Sequence, residues 1–184
     1  LALVALPSVP AQAASVATDP IGAERARGPH CVLTVDPVEP GTSADTAADP
    51  ADLTCFDTFS RSIAFATRNQ VRLPADATPV TAHARLVASS GPLLGVEYDA
   101  TGYGGASIAI TGSSGSGCYD GRQYHINDLR DYGFNDRISS AKLYSNCYAR
   151  HYEHSSLNGD SYLCYPNCST LGAMNNRSTS IRYF

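Results

Sequence analysis

Two six-residue stretches of this chain concentrate oxygen donors in the same order: Asn135-Asp136-Arg137-Ile138-Ser139-Ser140 and Asn175-Asn176-Arg177-Ser178-Thr179-Ser180. Amide or carboxylate oxygens at the first two positions and hydroxyls at the last two are the ligands that a hard divalent cation requires. Other chemistry finds less support. His151 and His154 are three residues apart, not the four of a zinc pair on one helix face, and their segment reads as strand. There is no Gly-x-Ser-x-Gly elbow for a nucleophile. The glycine-rich runs at Gly102-Tyr-Gly-Gly and Gly112-Ser-Ser-Gly-Ser-Gly lack the Lys and following helix of a phosphate loop, and read as turns. Asn167-Cys-Ser and Asn176-Arg-Ser match the glycosylation sequon by coincidence of composition. No catalytic residue is assigned, and the chain is expected not to be an enzyme.

Each oxygen-rich stretch follows a copy of a second pattern, Tyr98-Asp-Ala-Thr-Gly-Tyr103-Gly-Gly105-Ala-Ser107 and Tyr152-Glu-His-Ser-Ser-Leu157-Asn-Gly159-Asp-Ser161. Such spacing suits a hairpin folded back over its own sheet. The first Tyr covers the bend, Gly takes a backbone angle closed to residues with a Cβ, and the Ser hydroxyl bonds bent backbone.

Paired Tyr-x4-aromatic-x-Gly-x-Ser motifs, each with an Asn/Asp-Asn/Asp-x-x-Ser/Thr-Ser stretch, resemble a microbial, actinobacterial-type βγ-crystallin domain over residues 93–184. The departures are Leu157 in place of an aromatic and a longer connection in the first copy: thirty residues from Gly105 to Asn135, against sixteen from Gly159 to Asn175. The resemblance implies two Greek keys clamped by about two calcium ions. Asp136 and Ser139 would supply side-chain oxygens to one ion, and Asn176 and Thr179 to the other. Carbonyls of Arg137 and Arg177 would cross over, and carbonyls of Asp99 and Glu153 would complete the shells. Asn135 and Asn175 would shape the loops. With Asp136 as the one charged side-chain ligand, affinity should be modest and matched to extracellular calcium.

The elements that must position these residues are short strands. LLGVEY, ASIAIT, SSAKLY, DSYLCY and TSIRYF are separated by Gly, Asn, Ser and Asp clusters, the pattern of an antiparallel sandwich. The fold class expected is therefore an all-β C-terminal domain, a βγ-crystallin-like two-Greek-key antiparallel sandwich, with a small α+β N-terminal unit. That unit, residues 30–90, comprises a strand at His30–Val35, a Pro/Gly/Asp-rich loop, and one amphipathic helix over Leu53 to Gln70, with apolar residues at 53, 56, 59, 63 and 66 and a start at Asp49-Pro50 or Thr54. Residues 71–92 return to Pro, Ala, Ser and Gly and mark the boundary between the units.

Leu1 to Ala13 read as a signal-peptide remnant ending in Ala11-Gln12-Ala13, and residues 14–29 as a leader or linker. No run approaches a membrane span, and a net charge of −4 offers no field for nucleic acid. Six cysteines behind a secretion signal imply three disulfides. Among the fifteen connectivities, placement along the chain favours Cys31 with Cys55, Cys118 with Cys147 and Cys164 with Cys168. The expected protein is a secreted monomer serving as an extracellular structural or interaction module, with a secreted protease or cell-surface component as partner. The other functional reading is a secreted protease inhibitor or killer-toxin-like effector, which needs an exposed, braced loop; Gly112 to Asp131 is its candidate.

Overall fold

The strand β1 (His30–Val35) has apolar side chains on both of its faces: Cys31, Leu33 and Val35 enter one core cluster and Val32 another. A strand buried on both faces belongs to a middle layer, and that is its place here. The computed structural model describes residues 28–38, 52–87, 92–115 and 117–184. The expected signal remnant, most of the leader and most of the Pro/Gly/Asp-rich loop lie outside the described residues.

In chain order the remaining elements are β2 (Pro37–Val38), β3 (Asp52–Phe56), α1 (Phe59–Ala66), α2 (Pro79–Val87), β4 (Leu93–Ala100), β5 (Gly104–Gly112), β6 (Gln123–Ile126), β7 (Ser140–Leu143), β8 (Ala149–His154), β9 (Asn158–Cys164), β10 (Asn167–Cys168) and β11 (Ser180–Tyr183). A six-stranded sheet runs β10-β7-β4-β5-β1-β3, and a five-stranded sheet runs β2-β6-β11-β8-β9. In each half of the C-terminal region, three strands form a neighbouring set and the remaining one crosses to the opposite sheet. β4 pairs with β5 and β7 while β6 joins β11; β8 pairs with β9 and β11 while β10 joins β7. The result is the expected all-β, two-Greek-key sandwich. Between the sheets Gly95 faces the Tyr183 ring, 2.9 Å from where a Cβ would stand, so a larger residue would press on the facing layer.

The N-terminal segment adds to this frame. β1 lies parallel to β5 in the first sheet and antiparallel to β3, and β2 extends the second sheet beside β6. The helices cover the outer face of the first sheet with a second core made by Phe59, Ile63, Ala66, Ala82 and Leu86 against Val96, Tyr98, Ala109 and Tyr144. The segment 30–90 thus shares a sheet with residues 93–184.

The single helix expected over Leu53 to Gln70 is corrected in two ways. Leu53 and Phe56 lie in β3, paired with β1 and joined to it by the Cys31–Cys55 disulfide. The helix begins one turn later, at a Thr58 cap whose hydroxyl accepts from the Arg61 N–H at 3.4 Å, and ends where Arg68 and Asn69 adopt left-handed angles of 52° and 62°. Phe59, Ile63 and Ala66 keep the helical spacing, but positions 53 and 56 fitted it by chance. The second helix, α2, arises from the stretch read as a boundary by composition; its N-terminal Thr78 and Pro79 suit a helix start.

Disulfides join Cys31 to Cys55, Cys118 to Cys147 and Cys164 to Cys168, the three pairs favoured from their placement. The segment Gly112 to Asp131 contains β6, and Tyr124, Ile126 and Leu129 within it are fully buried; ahead of β6, Ser114, Gly115, Tyr119, Gly121 and Arg122 are exposed beside the Cys118–Cys147 disulfide.

Candidate functional site

The two keys repeat their local construction residue for residue. Tyr103 and Leu157 both sit in the left-handed region, with φ of 67° and 58°, and so do the glycines two positions later. A Cβ on Gly105 would collide with the Asp99 carboxylate, and one on Gly159 would press on the His154 ring. The folded hairpins are stitched by serines, but not by those expected. Ser107 bonds His30 Nδ1 at 2.9 Å, and Ser161 accepts from Arg150 at 3.4 Å. The stitching falls instead to the last residue of each oxygen-rich stretch. Ser140 Oγ donates to the Ala100 carbonyl and accepts from the Tyr103 N–H at 3.0 Å; Ser180 Oγ donates to the His154 carbonyl and accepts from the Leu157 N–H at 3.0 Å. The reason is topological: β7 and β11 run beside the hairpins of their own keys, so their first residue meets the bend.

The two stretches share one burial pattern as well. Asn135 and Asn175 are half-buried, the next two residues of each are exposed, and the last three are buried. Asp136 and Asn176 take left-handed angles of 53° and 55°. That bend turns the two loops toward each other, and they exchange backbone hydrogen bonds: Asp136 N–H to the Ser178 carbonyl at 3.0 Å, and Asn176 N–H to the Ile138 carbonyl at 2.9 Å.

Beside the first hairpin, Ser139 Oγ lies 3.0 Å from the Asp99 carbonyl oxygen and 2.8 Å from Asn176 Oδ1. A hydroxyl carries one proton, so it satisfies one of these two acceptors and leaves lone pairs converging on the same point. Asn135 Oδ1, Asn175 Oδ1 and Ser178 Oγ are further buried oxygens of these stretches without a protein partner. At the second hairpin a cavity is lined by Asp136, Glu153, Asn176, Arg177 and Thr179, among others. Ser139 thus meets Asn176 at the Asp99 carbonyl, while Asn176 and Thr179, expected at one ion, line the Glu153 cavity together with Asp136. Among the described residues no cluster of three His, Cys, Asp or Glu side chains gathers; what gathers are carbonyl, amide and hydroxyl oxygens, which suit a hard cation.

Two features escaped the sequence reading. Arg137 donates to the Gly133 carbonyl at 2.6 Å and to the Asp99 carboxylate at 2.9 Å, while Arg177 donates to the Ala173 carbonyl at 3.1 Å and to the Glu153 carboxylate. Each guanidinium braces its own loop from a carbonyl four residues upstream. The hydrogen bond from Arg177 holds the Glu153 carboxyl below its ordinary range. The arginines also neutralise the two acids beside the loops, which lowers the local negative potential available to a cation.

The other missed feature is a buried triad between the sheets. His151 Nε2 lies 3.1 Å from Glu97 Oε2, and Tyr183 donates to Glu97 Oε1 at 2.7 Å, all three being fully buried. Glu97 and His151 precede the two motif tyrosines and are equivalent positions of the repeat, 54 residues apart. Positions on the axis relating the two keys meet their own counterparts, and a Glu facing a His there makes a complementary pair. The repeat spacing is the sequence signal that would have found it.

No protein-family model and no curated protein sequence matches the chain. Similar solved structures include a βγ-crystallin domain from Clostridium beijerinckii, at 22% identity and a TM-score of 0.40, matched over 97% of its length and 50% of this chain. The N-terminal domain of protein S has 24% identity and a TM-score of 0.40, over 94% of its length and 50% of this chain. A structure described under the evolution of the eye lens βγ-crystallin domain fold has 21% identity and a TM-score of 0.41, over 91% of its length and 52% of this chain. Each of these neighbours is thus matched over nearly all of its own length by about half of this chain.

Proposed function

We propose that this chain is a secreted, calcium-binding structural or interaction module in which about two Ca2+ ions staple its Greek keys together. The observation that carries the reading is the convergence of the Asp99 carbonyl, Ser139 Oγ and Asn176 Oδ1 around one shared proton. Asp136, Thr179 and the Glu153 carbonyl would hold the second ion. When bound, calcium supplies positive charge where these lone pairs converge. The residues themselves do the positioning: the left-handed bends at Asp136 and Asn176 aim the loops, their mutual backbone bonds hold them in register, and Arg137 and Arg177 brace each loop from behind. Because strands and disulfides already fix this frame, the ion adds stability and does not switch the shape. Three disulfides agree with an oxidising, extracellular setting. The inhibitor or toxin reading asks for an exposed braced loop at 112–131; core side chains fill that segment from Tyr124 to Leu129, and the exposed residues of its first part lie beside the Cys118–Cys147 disulfide.

Calorimetry on the full chain tests the proposal. Saturable heat with a stoichiometry near two is the expected result; no heat at millimolar calcium would refute it.

A further inference from the structure

Just beyond the end of β9, the turn joining the two keys forms one wall of a separate pocket. His83 of α2, Tyr144, Asn146, Tyr165, Asn167 and Tyr119 line it. Its volume of about 370 Å³ falls in the lower part of the range for small-molecule sites, about 300–1,000 Å³. Four observations bear on what fits there.

Large rings stand at the mouth: Tyr119 is 46% exposed and Tyr165 49%. Tyr165 is held flat by Tyr148, with centroids 4.0 Å apart and planes 16° apart, and Tyr148 stacks in turn on Phe184. One face of Tyr165 is therefore covered, and its other face is a rigid platform. Polar atoms are left over as well: His83 Nδ1, the Tyr144 hydroxyl and Asn167 Oδ1 have no hydrogen-bond partner in the fold, a state that buried polar groups rarely keep. The wall is preorganised, since Ser145 and Asn146 both adopt left-handed angles, 51° and 59°, beside the Cys118–Cys147 disulfide. Lastly, among the described residues that line the pocket there is no Asp, Glu, Lys or Arg, and burial lowers the pKa of His83 so that the neutral ring is favoured.

A charged ligand finds no counter-charge among the described lining residues, and a purely apolar one would leave the free polar atoms unpaired. We propose that this pocket binds a neutral sugar ring, a pyranose unit of an oligo- or polysaccharide, with its C–H face on Tyr165 and its hydroxyls on Asn146, Asn167 and His83. The site is separate from the calcium loops, so it stands or falls independently of them.

The test uses the full disulfide-bonded chain, titrated with cellohexaose and with chitohexaose by calorimetry and intrinsic fluorescence. With 11 tyrosines and no tryptophan, that fluorescence reports tyrosine alone. Saturable binding of at least one oligosaccharide is expected, unchanged by chelator. Tyr165→Ala should weaken it by about tenfold or more, Tyr165→Phe by no more than about twofold, and Asn167→Ala by several-fold. Tyr119→Ala gives a second reading of the ring wall if Tyr165→Ala melts early. Absence of saturable binding to both sugars at millimolar concentration, or wild-type affinity in both ring-deleted variants, would overturn the proposal.

Discussion

The two Greek keys share one frame and differ in what covers it. In the first key the motif residues Tyr98 and Ser107 are 0% and 1% exposed, sealed beneath α1 and β1. Their counterparts Tyr152 and Ser161 are half-buried and exposed, and β9, the outer strand of its sheet, is exposed along most of its length. The same motif is core in one copy and surface in the other. What this teaches is that the hairpin and loop geometry comes from the repeat itself, whereas burial is conferred from outside by the N-terminal segment. The two hairpin loops should accordingly keep their relation to each other whatever happens to the outer layer, and the costs of mutation should be lopsided.

The largest expected effect lies where the keys meet. Glu97→Ala strands His151 and the Tyr183 hydroxyl without their partner, at a cost of about 3–5 kcal/mol. Urea unfolding would measure it; a loss under about 1 kcal/mol would mean the axial pair does not hold the sheets together.

The covered and bare faces come next. Ile63→Ala, fully buried under the first sheet, should cost about 2–5 kcal/mol. Leu163→Ala on β9, 44% exposed, should change stability by no more than about 0.5 kcal/mol. Equal effects would erase the asymmetry.

The loops give a smaller signal. At a hundred times its dissociation constant, one ion adds about 2.7 kcal/mol, enough to raise the melting temperature by several degrees in calcium relative to chelator. Ser139→Ala should remove one ion and weaken the other through the shared loop contacts, and Thr179→Ala should do the reverse. Melting identical in calcium and in chelator for the wild-type chain would break the staple.

The smallest effect per group concerns alkaline pH. Burial raises the pKa of Tyr98, Tyr144 and Tyr183, with nearby tyrosines or Glu97 adding to the rise. A raised pKa means that the stabilisation is fully present below the unfolded value, near 10, and is lost as pH climbs toward the folded one. Each tyrosine should then contribute a fall of about 1.4 kcal/mol per pH unit above about pH 10. Tyr98→Phe should flatten that slope by one such increment. Unfolding midpoints at several alkaline pH values measure it, and an unchanged slope would break the prediction.

How much of this was legible depends on which residues are read. β1 was readable at His30–Val35 because a β-branched run bounded by turn residues has few other solutions. β6 was not: Gln123-Tyr-His-Ile is short, and it becomes a strand only because β11 and β2 flank it. Leu53 and Phe56 matched a helical period yet fold as a strand, because pairing with β1 outweighs propensity in a five-residue stretch. In the candidate site, the donor types and their order were legible, but their grouping was not. Ser139 meets Asn176, 37 residues away, through a contact that no local spacing encodes.

By itself the sequence determined the all-β class of the C-terminal half, the doubling of the hairpin motif and the oxygen-rich loops, because each is written in residue type and short spacing; the disulfide pairs it only favoured, by segment, among fifteen connectivities. Only the tertiary structure decided that β1 and β3 continue the first sheet, that Ser140 and Ser180 stitch the hairpins, that Arg137 and Arg177 brace the loops, and that Glu97 meets His151. Those are contacts between distant segments, set by which faces must be buried against each other, and burial is a property of the assembled layers and not of any one stretch of chain.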